Sequence, residues 1–428
     1  MKITVRRFNR KLVLPLRIIC FKTEILGEIL CCMALVGMMV ADLFALTGIP
    51  MVGSVDEILG IAAWGGVIYY VIFQKKFSKE TLQLLTVLII FLCIGFLGNV
   101  FSGVTYSLKL ILMDGFMFSK PYVIFIFMTL FMTDRLAASI LRFVYLLSKG
   151  MLWILTFLAV LSQFVYTSMT LYSGSFRFFA EYSGTVSWWG ILFLAVIWAN
   201  SEKDSGVFGY FLLCGILIFI NGSGLGLISY GLGIALYLVI RKKKKIKWYY
   251  IAACCGLCIF LGRNELNEYL FIESAPRALL LKYAFVTANH YLPLGAGFAT
   301  YGSSSAIRDY SALYRLYGFN KVPGMTEGYH PYLMDNYYQQ VIGQLGYPGI
   351  ILLACFMIQI IKRILIIESA DVRNAALLLY GCLVFAGIGF GTASSWGCSV
   401  YMLLPLFFAC SGVTNKRDIT GKQSPLRR

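Results

Sequence analysis

The sequence predicts an all-α, polytopic membrane protein with about twelve transmembrane helices and one large extracytoplasmic loop. Three observations predict it. Of the 428 residues, 59% are hydrophobic and only 13% are charged, against about 25% charged in an ordinary globular domain; no single soluble core hides that much apolar surface. Apolar stretches near the roughly 20 residues that cross about 30 Å of hydrocarbon recur along the whole chain. Most of the 37 Lys and Arg residues lie between those stretches in alternate loops, as resistance of positive loops to translocation requires.

Residues 1–25 carry Arg6, Arg7, Arg10, Lys11, Arg17 and Lys22, are broken by Pro15 and have no small-residue cleavage site. They read as a basic cytoplasmic segment on the anionic inner leaflet, not as a signal peptide. Residues 26–262 hold the first nine transmembrane helices, at 26–47, 55–74, 81–101, 108–131, 143–166, 186–200, 206–221, 225–240 and 248–262. The spans between 186 and 240 are short and interrupted by glycine. Residues 263–345 form the extracytoplasmic loop. Residues 346–413 hold the last three helices, at 346–361, 374–391 and 397–413, and residues 414–428 form a basic cytoplasmic tail.

With both termini in the cytoplasm, nearly all of the net charge of +17 falls on the cytoplasmic side, and RKKKKIK at 241–247 reads as a stop-transfer and headgroup anchor. Because the charge follows topology, a nucleic-acid partner is excluded. The 12 cysteines lie almost entirely inside spans, as small apolar packing residues. There is no Cys/His cluster of zinc spacing, no Walker loop, no HExxH and no flanked acidic pair of the nucleotide-sugar type, so neither a metal nor a cofactor is expected.

Within the loop, PRALLLKYAFVTANHYLPL reads as a helix opened by Pro276, too short and too charged to span, lying at or re-entering the outer surface. GAGFATYGSSS reads as turns. DNYYQQVIGQLGYPG leads into the tenth span, with Gly346, Pro348 and Gly349 marking a break.

Three cations stand on the outer side against positive-inside pressure: Arg177 in GSFRFFAEYSGT, Arg277 at the start of the loop helix, and Lys282. The planar guanidinium fork suits phosphate, and two arginines from separate loops could clamp a pyrophosphate. The alternatives are local pairs, Arg177 with Glu181 and Arg277 with Glu273, or contact with lipid phosphates. His330, in TEGYHPYLMDNYYQ, has Glu327 and Asp335 nearby and could serve as a base tuned near neutral pH; His290, beside Tyr291, ends the loop helix. Inside the spans, Asp42, Lys109, Asp114 and Lys120 are costly. Lys109 and Lys120 can snorkel outward and inward, which leaves Asp114 facing a polar interior; a transporter would use Asp42 and Asp114 as an ion relay.

In order and spacing, four stretches resemble the O-antigen ligase and polysaccharide polymerase (Wzy-type) family: RFFAEYSGT from Arg177, NGSGLGLISYG at 221–231, APRALLLKYAFVTANHYLPLGAGFATYGS around Arg277, and DNYYQQVIGQLGYPGIILL. Two departures, Gly224 where many relatives carry Arg and Asp335 where ligases present His, favour a polymerase over a ligase. The resemblance implies a GT-C-like fold in the bacterial cytoplasmic membrane and a metal-independent glycosyltransferase. It would move a growing O-antigen, capsular or exopolysaccharide chain from undecaprenyl diphosphate to the next lipid-linked repeat unit at the outer face. Arg177, Arg277 and Lys282 would hold the diphosphate; His330, with Asp335 or Glu327 as rivals, would deprotonate the acceptor. The implied partners are the undecaprenyl-diphosphate-linked oligosaccharide, membrane lipids and a chain-length regulator. A ligase acting on another acceptor and a flippase or transporter of lipid-linked sugars are the alternative readings.

Overall fold

The computed structural model describes residues 29–33, 35–44, 55–73, 78–165, 169–170, 175–180, 183–200, 206–240, 275–389 and 399–409, with single positions between 249 and 272. The described chain is built from helices and turns, with one isolated bridge between Thr170 and Phe176. In order the helices are α1 (Ile29–Leu43), α2 (Val55–Phe73), α3 (Lys79–Ser102), α4 (Leu108–Phe131), α5 (Asp134–Leu161), α6 (Ser183–Ala199), α7 (Val207–Asn221) and α8 (Gly224–Ala235, extended by a π turn). After these come α9 (Pro276–His290), α10 (Ser304–Arg308), α11 (Ala312–Leu316), α12 (Tyr337–Leu365), α13 (Ala370–Gly389) and α14 (Ser399–Ala409).

Six of them, α2 to α5, α12 and α13, are long and apolar enough to cross a membrane, and α1, α6, α7, α8 and α14 are apolar but shorter. The sequence reading placed the spans of α2, α3 and α4 within two residues of their observed ends. It placed the fifth late: α5 begins at Asp134, capped by Thr133, whose hydroxyl accepts from the Leu136 amide at 3.2 Å. The charged first turns of α5 hid this start from a hydropathy argument. Of the predicted ninth span at 248–262 only single positions are described, and the basic segments 1–25 and 241–247 and the tail 414–428 fall outside the described residues.

α6 is the centre of the bundle. Ile191 to Trp198 are all 1% exposed or less, and a helix apolar all round is one that neighbours cover on every side. It packs on α5, α7 and α13. Trp198 Nε1 donates to Asp371 Oδ1 at 2.9 Å, pinning the end of α6 to the start of α13, and Tyr401 at the start of α14 donates to the Trp188 carbonyl near the start of α6. Arg363 near the end of α12 pairs with Glu80 at the start of α3, 3.3 Å away. These contacts sort the helix ends: the starts of α4, α6, α8 and α14 and the ends of α1, α3, α7 and α13 gather at one end, called here the site end.

Lys120 does not snorkel. It is 1% exposed and forms an ion pair with Asp56 of α2. Gly60 makes room for it, since a Cβ there would come within 2.9 Å of Lys120 Cγ. A charge at that depth persists because its partner is equally buried. Asp42, too, is engaged, accepting from Trp189 Nε1 at 3.0 Å.

The tenth predicted span begins at the expected break, but the helix before the break is new. α12 contains Gly346 at φ 62°, ψ −158°, a conformation that only glycine adopts at little cost, and the chain reverses there. Tyr337, at the start of α12, bonds the hydroxyl of Tyr122, and Gln344 reaches Asp114 of the same helix α4. After Gly346 the chain returns, so that Phe356 also packs on Tyr122, with ring centroids 4.7 Å apart. A straight helix would separate residues 337 and 356 by about 28 Å at 1.5 Å per residue; α12 is therefore a helical hairpin, and its second arm carries the membrane span. α9 packs along the first arm.

Between α9 and α10, the GAGFAT turns enter the bundle instead of lying on it. Phe298 is fully buried against Phe96 and Phe118, and Gly98 of α3 allows the approach: a Cβ there would stand 2.9 Å from Gly297 Cα. Irregular backbone at this depth survives only if its polar groups are met by protein. Here they are. Ala296 N and Gly297 N donate to the carbonyls of Gly343 and Gln344 at 3.0 and 2.8 Å. Asn99 clamps Phe298 from both sides, Nδ2 donating to its carbonyl at 2.8 Å and Oδ1 accepting from its amide at 2.9 Å. Ala299 N donates to Asp114 Oδ2 at 2.6 Å, and Gln344 Nε2 donates to the same oxygen at 2.7 Å.

Candidate functional site

Arg277 occupies the first turn of α9, directly after Pro276, whose ring suits the first helical position. A cation there opposes the helix dipole, and Asp335 compensates: Arg277 Nη2 donates to Asp335 Oδ2 at 2.8 Å, with both side chains about a quarter exposed, 25% and 23%. The sequence reading had considered Glu273 as the partner; Glu273 falls outside the described residues. Asn336, next to Asp335, caps the first arm of α12 by accepting from Gln339 N at 3.2 Å. Gln339 Nε2 in turn donates to the Arg277 carbonyl at 2.8 Å. Main chain and side chain of Arg277 are thus both held by the start of α12. Burial raises the Asp335 carboxyl above its ordinary value, and the Arg277 charge offsets this only in part.

Arg177 sits in the approach to α6. Its amide donates to the Met169 carbonyl at 2.8 Å. The carbonyl of Phe176 accepts from Asn221 Nδ2, and Asn221 Oδ1 accepts from Ser187 Oγ at 2.6 Å, tying the segment to the end of α7 and the start of α6. Phe178 beside it has φ +55°, a strained setting for an aromatic residue, held by rings of Phe44 and Phe179 at 5.1 and 4.8 Å. Arg177 Nε is buried and meets no hydrogen-bond partner among the described residues. A buried guanidinium donor left unmet is costly and is what a departing or bound anion would satisfy. Its considered partner Glu181 falls outside the described residues.

The remaining candidates are not gathered there. Lys282 lies exposed on α9, five residues beyond Arg277 and so well round the helix from it. Glu327 spends its carboxylate on Arg315, 3.1 Å away, where the side chains are 65% and 54% exposed, so that carboxylate does not orient His330. His330 Nδ1 stands 3.1 Å from the Glu327 carbonyl. With Nδ1 donating there, Nε2 is the nitrogen left to accept a proton.

The sequence reading missed Gln339, Gln344 and Asn99, the three amides that bind α9, the buried turns and α12 into one unit. Their signal was present, as polar side chains in otherwise apolar helices. Asp114 was read as facing a polar interior, and it does: the Ala299 amide and the side chain of Gln344.

No family model matches the chain, and no curated protein matches it either. The fold and the apolar helices define an all-α membrane protein.

Proposed function

We propose that this chain is a polysaccharide polymerase of GT-C-like fold, with the site end facing out of the bacterial cytoplasmic membrane. It joins lipid-linked oligosaccharide repeat units, transferring the growing glycan from undecaprenyl diphosphate to the next unit. The observation that carries the proposal is a pair of arginines: Arg177, half-buried, whose Nε meets no partner among the described residues, and Arg277, whose guanidinium and backbone are both fixed by the start of α12. Fixed donors aimed where negative charge develops are how such sites lower a barrier.

In the reaction, the bond between the donor's anomeric carbon and the diphosphate oxygen breaks, and its electron pair leaves with the diphosphate, held by Arg177 and Arg277. The acceptor hydroxyl oxygen bonds to that carbon, and its proton passes to a base; His330, five residues before Asp335 in the chain and with Nε2 left to accept, is the residue proposed for it. Asp335 is a positioning residue for Arg277. Lys282 and Glu327 take no direct part. A transporter would need Asp42 and Asp114 as its relay; Asp114 accepts from Ala299 N and Gln344 Nε2, and Asp42 from Trp189 Nε1.

Deleting the protein from its host tests the proposal. Carriers bearing single repeat units on the outer face are expected. Long polymer left on the carrier would instead indicate a ligase, and units trapped on the inner face a flippase.

A pH dependence follows from Asp335. Its pKa in the folded protein is raised, so the charged form that holds Arg277 is confined to higher pH than for an ordinary carboxylate. Activity is expected to fall on the acid side at a pH above the ordinary value of about 4. In Asp335→Asn the initial rates should be low and the shape of the acid limb should change; an unchanged acid limb would assign it to another group.

A further inference from the structure

Outside this site, two cations flank Met113 near the start of α4. Lys109 and Met113 are one turn apart on one face of α4, and Arg308, at the end of α10, donates from Nη1 to Met113 Sδ at 3.4 Å, across 195 residues of sequence. Both cations are exposed, and among the described residues no carboxylate stands within ion-pair distance of either, the neighbouring Asp309 included. A thioether is a weak acceptor for a guanidinium with five donors. The same stretch of chain exposes Tyr106, Leu108 and Leu112 at 87%, 66% and 53%, an aromatic and two aliphatic side chains of the kind that face headgroups and acyl chains at a membrane boundary.

We infer that Lys109 and Arg308 form a binding site for an anionic lipid phosphate. The phosphate neutralises both charges and accepts from the guanidinium, while the acyl or prenyl chain lies along Leu108 and Leu112. Boundary phospholipid and polyprenyl diphosphate carrier share this chemistry.

The test titrates purified full-length protein in neutral detergent with phosphatidylglycerol, phosphatidylcholine and undecaprenyl diphosphate. Wild type should bind the first and third more tightly than phosphatidylcholine. At about 1 kcal/mol per cation near a membrane surface, Lys109→Gln and Arg308→Gln should each weaken that binding about fivefold, and the pair about thirtyfold, with Lys109→Arg retaining it. Loss for both anionic lipids marks a shared site, and loss for the diphosphate alone marks a carrier site; either supports the inference. Equal affinity of the double variant and wild type for both anionic lipids overturns it. Both side chains are exposed, so circular dichroism should be unchanged. The readout needs no turnover and is independent of the glycan-polymerase proposal.

Discussion

Arg277→Ala is expected to abolish polymer, lowering the rate by about 100- to 1000-fold, the usual cost of losing one donor to developing charge, with expression retained. The substitution also leaves Asp335 unpaired in a setting only a quarter exposed, and an orphaned half-buried charge lowers stability on its own account. Arg277→Ala combined with Asp335→Asn removes that orphan and separates the two effects. The double variant should fold like wild type and remain without polymer. Arg177→Ala is the cleaner single substitution, because no described carboxylate depends on it, and it should lose polymer to a similar extent. Glycan length on gels for both arginine variants checks this, and normal polymer length in both would remove the diphosphate clamp from the account.

Asp114→Ala is expected to have the largest effect on folding. Asp114 is 1% exposed and accepts from Ala299 N and Gln344 Nε2 through one oxygen. Removing it strands a buried amide and a buried side-chain donor at a depth where no water substitutes. Each such loss costs about 1–3 kcal/mol, more where the acceptor is charged, and the whole is a large fraction of a typical stability. The turns around Phe298 would lose one of their anchors, and with them the packing of the first arm of α12. Asp114→Asn keeps the side chain's shape and one oxygen that can accept from both donors. Thermal melting in detergent should show Asp114→Ala strongly destabilised and Asp114→Asn much less so. If Asp114→Asn melts no higher than Asp114→Ala, acceptance by this side chain is not what holds the turns.

Hydropathy made α2, α3 and α4 legible almost to the residue, because a lipid-facing helix must keep an uninterrupted apolar run of membrane thickness. It failed at the ends of α5 and α12, where Asp134, Arg135 and Arg142, or Gln339, Gln340 and Gln344, make a helix polar without ending it. The helical hairpin could not be foreseen from Gly346 alone: glycine permits the reversal, but what selects it is the contact of Gly346 with Gly295, whose backbone N would stand 2.9 Å from a Cβ at 346. The same limit applies at the site. Arg177 and Arg277 were legible as charges out of place and Asp335 as a carboxylate near His330, whereas the pairing of Arg277 with Asp335 depends on the register between α9 and the first arm of α12. Lys120 was misread because its counter-ion, Asp56, lies on another helix, and a single span offers no sign of what its neighbour presents.

The most direct measurement supplies the purified protein, reconstituted in lipid nanodiscs, with a single lipid-diphosphate-linked repeat unit and no nucleotide sugar. The account predicts a ladder of longer glycans on the diphosphate carrier, with release of free undecaprenyl diphosphate, that disappears in Arg177→Ala. Repeat units left unjoined by wild-type protein that is folded and binds the carrier would contradict it.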